Sequence, residues 1–256
     1  VIRLEEIREF HFAANLNLVT YRSQGYKVKG YLATPKGAGP FPLLLYCRGG
    51  LRNIGMTKLA WIAHFVSRGF VVFAPFYRGN RGGEGREDFG GDDRHDVMDA
   101  LSWLKQLPFI DPARIHLFGF SRGAIPALYT AMKFPEICSV AVWGGVSDLN
   151  LTYEERVDLR RMLRRVVGGP PWKNGKAYAR RSPVFDIKTL ECPVLIIHGK
   201  QDQLVGVAHA HRLAEALRQA GKRYQLWIDE QQGHLFNVAQ QAVEMDRMLT
   251  WMQMQE

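Results

Sequence analysis

From residue 41 onward, unbroken apolar runs of strand length alternate with segments of helix length, and this constrains the fold more than any other feature. The runs are 43–47, 70–74, 115–118, 140–143, 194–197 and 224–228. A strand that is apolar at every position has no face to give to water, so such runs predict a parallel sheet covered on both sides. Stretches 57–67, 93–107, 122–133 and 207–220 are the expected cover, and an amphipathic stretch, 235–252, closes the chain. Upstream, 9–20 and 26–35 read as two β segments joined by a polar turn at Ser23-Gln24-Gly25. The second alternates in character, as a half-exposed antiparallel strand does. The pattern predicts a doubly wound, mostly parallel open sheet in a single domain spanning 1–256. Residues 149–185 break the alternation and are expected to form a small helical cap over the sheet's carboxyl edge.

At 256 residues the chain is long enough for one large α/β domain. No apolar stretch approaches the roughly 18 residues of a membrane span, so no membrane partner is expected. The first residues, Val1-Ile2-Arg3-Leu4-Glu5-Glu6, are charged and lack the apolar core of a signal peptide. Cys47, Cys138 and Cys192 cannot all pair within one chain and lie in or beside apolar runs, which points to free thiols in a reducing compartment. Together these features predict a cytoplasmic protein.

The net charge of +9 resembles a nucleic-acid signature until it is located. Residues 150–181 hold nine basic side chains against three acidic ones, so most of the excess belongs to the cap. That basic segment reads either as a solvated helix face or as a pocket wall favouring substrates with a carboxylate. No nucleic-acid partner is expected.

Gly119-Phe120-Ser121-Arg122-Gly123 stands between the run 115–118 and the helical stretch 122–133. Strand, sharp turn and helix are the context of a nucleophile elbow, in which a serine on a strained backbone exposes its hydroxyl. Asp202 follows in a Gly-containing turn after the run 194–197, and His234 follows the run 224–228. Nucleophile, acid and histidine thus come in the chain order of an α/β-hydrolase relay, each beyond the carboxyl end of a strand. A serine hydroxyl is a poor nucleophile at neutral pH, so a neutral imidazole must take its proton, and a carboxylate must orient that imidazole. The assignment is Ser121 as nucleophile, His234 as general acid/base and Asp202 as its orienter, with Asp229 and Asp148 as rivals for the last role. An oxyanion hole requires two backbone N–H groups. Arg122, after the serine, supplies one; Arg48-Gly49-Gly50 supplies the other, with Gly50 favoured over Gly49.

Other features read as structural. Asp92-Asp93-Arg94-His95-Asp96 reads as a helix cap with acids at its amino end rather than a metal site. His209 and His211 are two apart on a helix and face different ways. His64 and His116 lie in apolar elements and read as core histidines. No phosphate-loop pattern occurs, and neither metal nor cofactor is called for. Trp143, Trp172 and Phe76 are candidates for an acyl pocket.

These motifs in series carry a resemblance. Arg48-Gly49-Gly50, Tyr77-Arg78-Gly79-Asn80-Arg81-Gly82-Gly83-Glu84-Gly85, Asp96-Val97-Met98-Asp99-Ala100, the elbow, Gly144-Gly145-Val146-Ser147-Asp148, His198-Gly199-Lys200-Gln201-Asp202 and Gly233-His234 together resemble the catalytic domain of the prolyl oligopeptidase (S9) family, over about residues 26–250. The resemblance implies an α/β-hydrolase fold and peptidase chemistry. Two departures bear on substrate. Tyr or His often opens the family's oxyanion-loop motif, and Arg48 stands there instead, so its guanidinium either replaces a tyrosine hydroxyl or faces substrate. Peptidases of the family often carry an amino-terminal β-propeller, for which about 25 preceding residues are too few.

The expectation is therefore a serine hydrolase working through an acyl-enzyme on small or medium esters, amides or short peptides, with esterase activity favoured. The alternative is a non-catalytic or nucleic-acid-binding protein on a hydrolase scaffold.

Overall fold

The computed structural model describes residues 1–7 and 14–256. Among the described residues nine strands form one sheet in the order β1-β2-β3-β5-β4-β6-β7-β8-β9. β1 (Arg3–Glu6), β2 (Ala14–Ser23) and β3 (Tyr26–Pro35) form an antiparallel edge, and β3 also pairs antiparallel with β5 (Val71–Pro75). β5, β4 (Phe41–Cys47), β6 (Ile110–Phe120), β7 (Ser139–Trp143), β8 (Val194–Gly199) and β9 (Tyr224–Asp229) run parallel. The doubly wound sheet expected from the apolar runs is the one observed. The segment expected over 9–20 is β2 from Ala14 onward, and its first part lies outside the described residues.

The strands divide their side chains between two cores because successive residues point to opposite faces. Leu43, Leu45, Leu117, Val140 and Val142 meet helices α2 (His95–Leu104), α3 (Ala124–Lys133) and α7 (Ala208–Gln219). Leu44, Tyr46, Phe118, Ala141 and Trp143 meet α1 (Leu59–Ser67) and α8 (Val238–Gln253). The central strands β4, β5, β7 and β8 are buried on both faces, and their side chains are accordingly almost all apolar.

Between β7 and β8 the chain forms α4 (Leu149–Glu155), α5 (Arg160–Val167) and α6 (Gly175–Ala179), with a 3₁₀ turn, Val157–Leu159, between the first two. This insertion has its own apolar anchor. Leu149, Tyr153, Leu163, Val167 and Tyr178 bury against Ile125 and Tyr129 of α3 and against Phe89. The insertion is therefore seated on the helix that follows the elbow, beside the carboxyl ends of the strands.

Candidate active site

β6 ends at Phe120, and Ser121 takes a left-handed backbone, φ +56°, before a 3₁₀ turn leads into α3. That conformation costs a non-glycine residue about 1–2 kcal/mol. It persists because the surroundings leave no alternative: a Cβ on Gly123 would collide with the Cys47 carbonyl, and one on Gly49 would lie 2.8 Å from Ser121 Cβ. The loop after β4 therefore passes directly beside the serine.

His234 lies between β9 and α8, and its Nδ1 is 2.7 Å from Asp202 Oδ2. Asp202 is held from its other oxygen, with the Leu204 and Val205 N–H groups donating to Oδ1 at 2.8 and 2.9 Å. Burial by itself would raise this carboxyl; the His234 contact and the two backbone donors outweigh it and hold Asp202 below the usual carboxylate range. An ionised carboxylate only accepts, so His234 donates from Nδ1, and Nε2 is left as the lone-pair nitrogen. The rivals are engaged elsewhere. Asp148 caps α4 through Asn150 N–H and pairs with Arg212 at 2.6 Å, while Asp229 accepts from Gln231 within its own turn. Gly144, φ +54°, packs against the relay; a Cβ there would lie 3.1 Å from His234 Nδ1 and 3.3 Å from Asp202 Oδ2.

Ser121 and His234 open onto one cavity of about 830 Å³. Its walls are mainly apolar, with Phe89, Phe120, Leu159, Met162, Leu204 and Leu235, and Arg52, Lys58, Arg156 and Arg165 also border it. Gly49 and Gly50 line it as well, Gly50 with φ +65°.

Several sequence expectations fail here. Arg48 does not face substrate. It is 0% exposed, and its guanidinium donates to the Phe76 carbonyl at 2.8 Å and to the Gly49 carbonyl at 2.9 Å. Trp143 does not line the cavity either; at 1% exposure it stacks on Trp61 and meets Phe236 in the core. Phe76 is core, and Trp172, 71% exposed, packs its edge on Tyr153 outside the cavity. The basic insertion divides: Arg156 and Arg165 border the cavity, while Arg160 and Arg164 hydrogen-bond to Tyr153. Asp92, Asp93 and Asp96 do stand in the first turns of a 3₁₀ segment and of α2, as the cap reading expects, but none of their side chains caps the helix; Asp93 accepts from the Asp88 and Gly90 N–H groups and pairs with Arg122. His116 is a core histidine as expected, but His64 is half-buried and pairs with Asp246 of α8. Among the described residues no cluster of His, Cys, Asp and Glu has the arrangement to hold a metal ion.

The residue that sequence reasoning missed is Glu87. Its carboxylate pairs with Arg122 at 2.8 Å and Arg48 at 3.4 Å and accepts from the Arg52 backbone N–H. Asp93 completes the network from the other side of Arg122 at 2.9 Å. The Tyr77 ring lies beneath both guanidiniums, and its hydroxyl donates to the Arg48 carbonyl. Two buried cations and two buried anions thus tie the loop after β4 to the elbow. Burial lowers the Arg48 guanidinium, and Arg122 beside it adds to that effect; for Arg122, burial is outweighed by Asp93 and Glu87, which hold it firmly charged. Glu87 stands 35 residues from Arg122 and 39 from Arg48, so no local pattern betrays it.

The family model described as the prolyl oligopeptidase family matches residues 57–255. The chain belongs to that family. It is also 45% identical over 238 residues to a Bacillus subtilis (strain 168) protein described as uncharacterized peptidase YtmA, covering 93% of both chains. Among solved structures, it is similar to the Pyrococcus horikoshii acylaminoacyl peptidase, with a TM-score of 0.79 at 19% identity over 94% of this chain and 41% of that one. A Mycobacterium tuberculosis puromycin-hydrolyzing peptidase gives a TM-score of 0.76 at 25% identity, over 89% of this chain and 37% of that one. The prolyl oligopeptidase family chain thus spans about two-fifths of the length of those structures. Membership makes it a peptidase-like hydrolase of the α/β-hydrolase fold. Among the described residues no helix is long and apolar enough to cross a membrane.

Proposed function

We propose that the protein hydrolyses carboxylic esters and short peptide or amide bonds through an acyl-enzyme on Ser121, with esters of small or medium size the faster substrates. One observation carries this reading: the His234–Asp202 contact of 2.7 Å, in a cavity that Ser121 shares. As the Ser121 hydroxyl attacks the carbonyl carbon, His234 takes its proton at Nε2, and Asp202 stabilises the imidazolium. The oxyanion is received by the N–H groups of Arg122 and Gly50; the buried Arg48 side chain has no part in this, so both donors are backbone. The proton then passes to the leaving oxygen or nitrogen, which departs, and a water activated by His234 releases the acid and restores the serine. The preference for esters rests on an apolar cavity of limited volume, suited to an acyl chain.

Treatment with a fluorophosphonate followed by peptide mass spectrometry tests the chemistry, with an adduct expected on Ser121 and none on Ser121→Ala. No adduct on the folded protein would return the chain to the non-catalytic alternative. Parallel kinetics on p-nitrophenyl esters of graded length and on aminoacyl nitroanilides test the preference, and equal kcat/KM for the two classes would overturn it.

A further inference from the structure

A second cavity, of about 670 Å³, adjoins the one that holds Ser121, and the two share Leu51, Arg52, Asn53 and Arg165 in their walls. Four arginines border it: Arg52 from the loop after β4, Arg78 and Arg86 from the segment after β5, and Arg165 from α5 of the insertion. The acids of the neighbourhood are already committed. Asp96 holds Arg78 at 2.8 Å, Glu87 serves Arg48 and Arg122, and Asp88 holds Arg181 at 2.8 Å. The charges of Arg52, Arg86 and Arg165 are therefore not cancelled by the acids that line the cavity with them. Three separate chain segments bring these three arginines to the wall of one concave site. Arg52 is also constrained in its backbone, with φ +55° and its N–H donated to Glu87.

Resting on the Ser121 chemistry proposed above, we infer that this cavity is an anion subsite, and that the preferred substrates carry a carboxylate close to the scissile carbonyl. A guanidinium presents paired N–H donors in a plane that matches a carboxylate, and a concave site with one sign of charge concentrates such ligands. The carboxylate has two sources, an acidic acyl chain or the free carboxyl terminus of a short peptide. The apolar cavity takes the carbon chain or side chain, and the arginine cavity takes the charge.

Two substrate pairs separate the sources. p-Nitrophenyl hydrogen adipate against p-nitrophenyl hexanoate places the charge on the acyl side. N-acetyl-phenylalanyl-alanine against its carboxyl-terminal amide places it on the leaving group. One charged member should exceed its neutral partner in kcat/KM by about tenfold or more at low salt, and the gap should narrow as salt rises. Arg86→Gln, Arg165→Gln and the double variant should shrink that ratio progressively, with Arg86→Lys keeping part of it. Calorimetric titration of Ser121→Ala with the dipeptide and with its amide, and with adipate and with hexanoic acid amide, reads the subsite without turnover. Equal kcat/KM and equal binding for both pairs would overturn the anion subsite while a fluorophosphonate adduct kept the hydrolase reading intact. Carboxylate binding lost in the arginine variants, with no adduct on Ser121, would do the reverse.

Discussion

The Glu87 carboxylate lies 2.8 Å from the Arg122 guanidinium, and the same oxygen lies 3.4 Å from that of Arg48. One acid thereby neutralises cations from the two segments that meet at Ser121. All three side chains are almost fully buried. Glu87→Ala leaves two guanidiniums in a dry interior with only Asp93 to balance them, at an expected cost of about 3–5 kcal/mol in urea unfolding. Glu87→Gln keeps an acceptor for the Arg52 N–H and should lose less. A cost below about 1 kcal/mol for Glu87→Ala, typical of an exposed pair, would show that the network does not carry the junction.

The left-handed Ser121 backbone makes stability and activity move in opposite directions. Ser121→Ala should abolish the fluorophosphonate adduct and lower kcat by roughly 10³-fold or more with little change in stability. Ser121→Gly should be equally inactive and about 0.5–1 kcal/mol more stable than Ser121→Ala, because glycine relieves the strain while adding unfolded-state entropy. Equal unfolding midpoints for the two variants would mean that the turn stores no strain.

The Asp202–His234 contact should show itself in kcat rather than KM. Asp202→Asn keeps the shape but removes the charge that stabilises an imidazolium, and a fall of about 10³- to 10⁴-fold in kcat is expected. Gly144→Ala reaches the relay from below, with a Cβ about as far from His234 Nδ1 as a hydrogen bond is long. It should lower kcat by about tenfold or more, since small displacements of a catalytic group are costly. An unchanged kcat in Gly144→Ala would show that the relay has room to shift.

Two buried histidines contribute to the loss of stability in acid. Burial, reinforced by neighbouring His198, pushes His209 down to about 4, and burial with Arg114 nearby does the same to His116. Geometry agrees for His209, whose Nδ1 accepts from the Ser147 and Asp148 N–H groups and so carries no proton. The unfolded chain takes up these protons near pH 6.5, so between about pH 6.5 and 4 it binds more of them than the fold does. Stability should therefore fall as pH drops through that window, by about 1.4 kcal/mol per pH unit for each histidine. Urea unfolding across the window should show a shallower slope for His209→Asn than for the wild type. Parallel slopes would show that His209 accepts its proton in the fold.

Much of the fold is local information. The continuous apolar runs in β4 to β8 declare a sheet buried on both faces, because no strand can be apolar throughout and still meet water. β6, the elbow and α3 appear in sequence as one contiguous strand-turn-helix signal. The choice of Asp202 over Asp148 and Asp229 depended on chain order and loop position, and the structure places Asp202 alone of the three against His234. Less visible was β1, where three of four residues are charged and whose pairing among the described residues is with β2.

Arg48 and Trp143 mark where sequence reasoning stops. Both stand at strand ends on the carboxyl edge, where a side chain turns either toward the cavity or back into the fold. Strand register turns Trp143 toward α1 and α8, where Trp61 and Phe236 await it. Arg48 turns inward because Phe76 offers a carbonyl and Glu87 a charge, both far away in the chain. The sequence by itself determined the alternation of strands and helices, the strand-turn-helix context of the elbow and the chain order of the candidate acid and base, since these are carried by periodicity and by position along the chain. Only the tertiary structure decided which cations are buried and which remain free at the cavity, because charge pairing is settled by partners that approach in space and not along the chain.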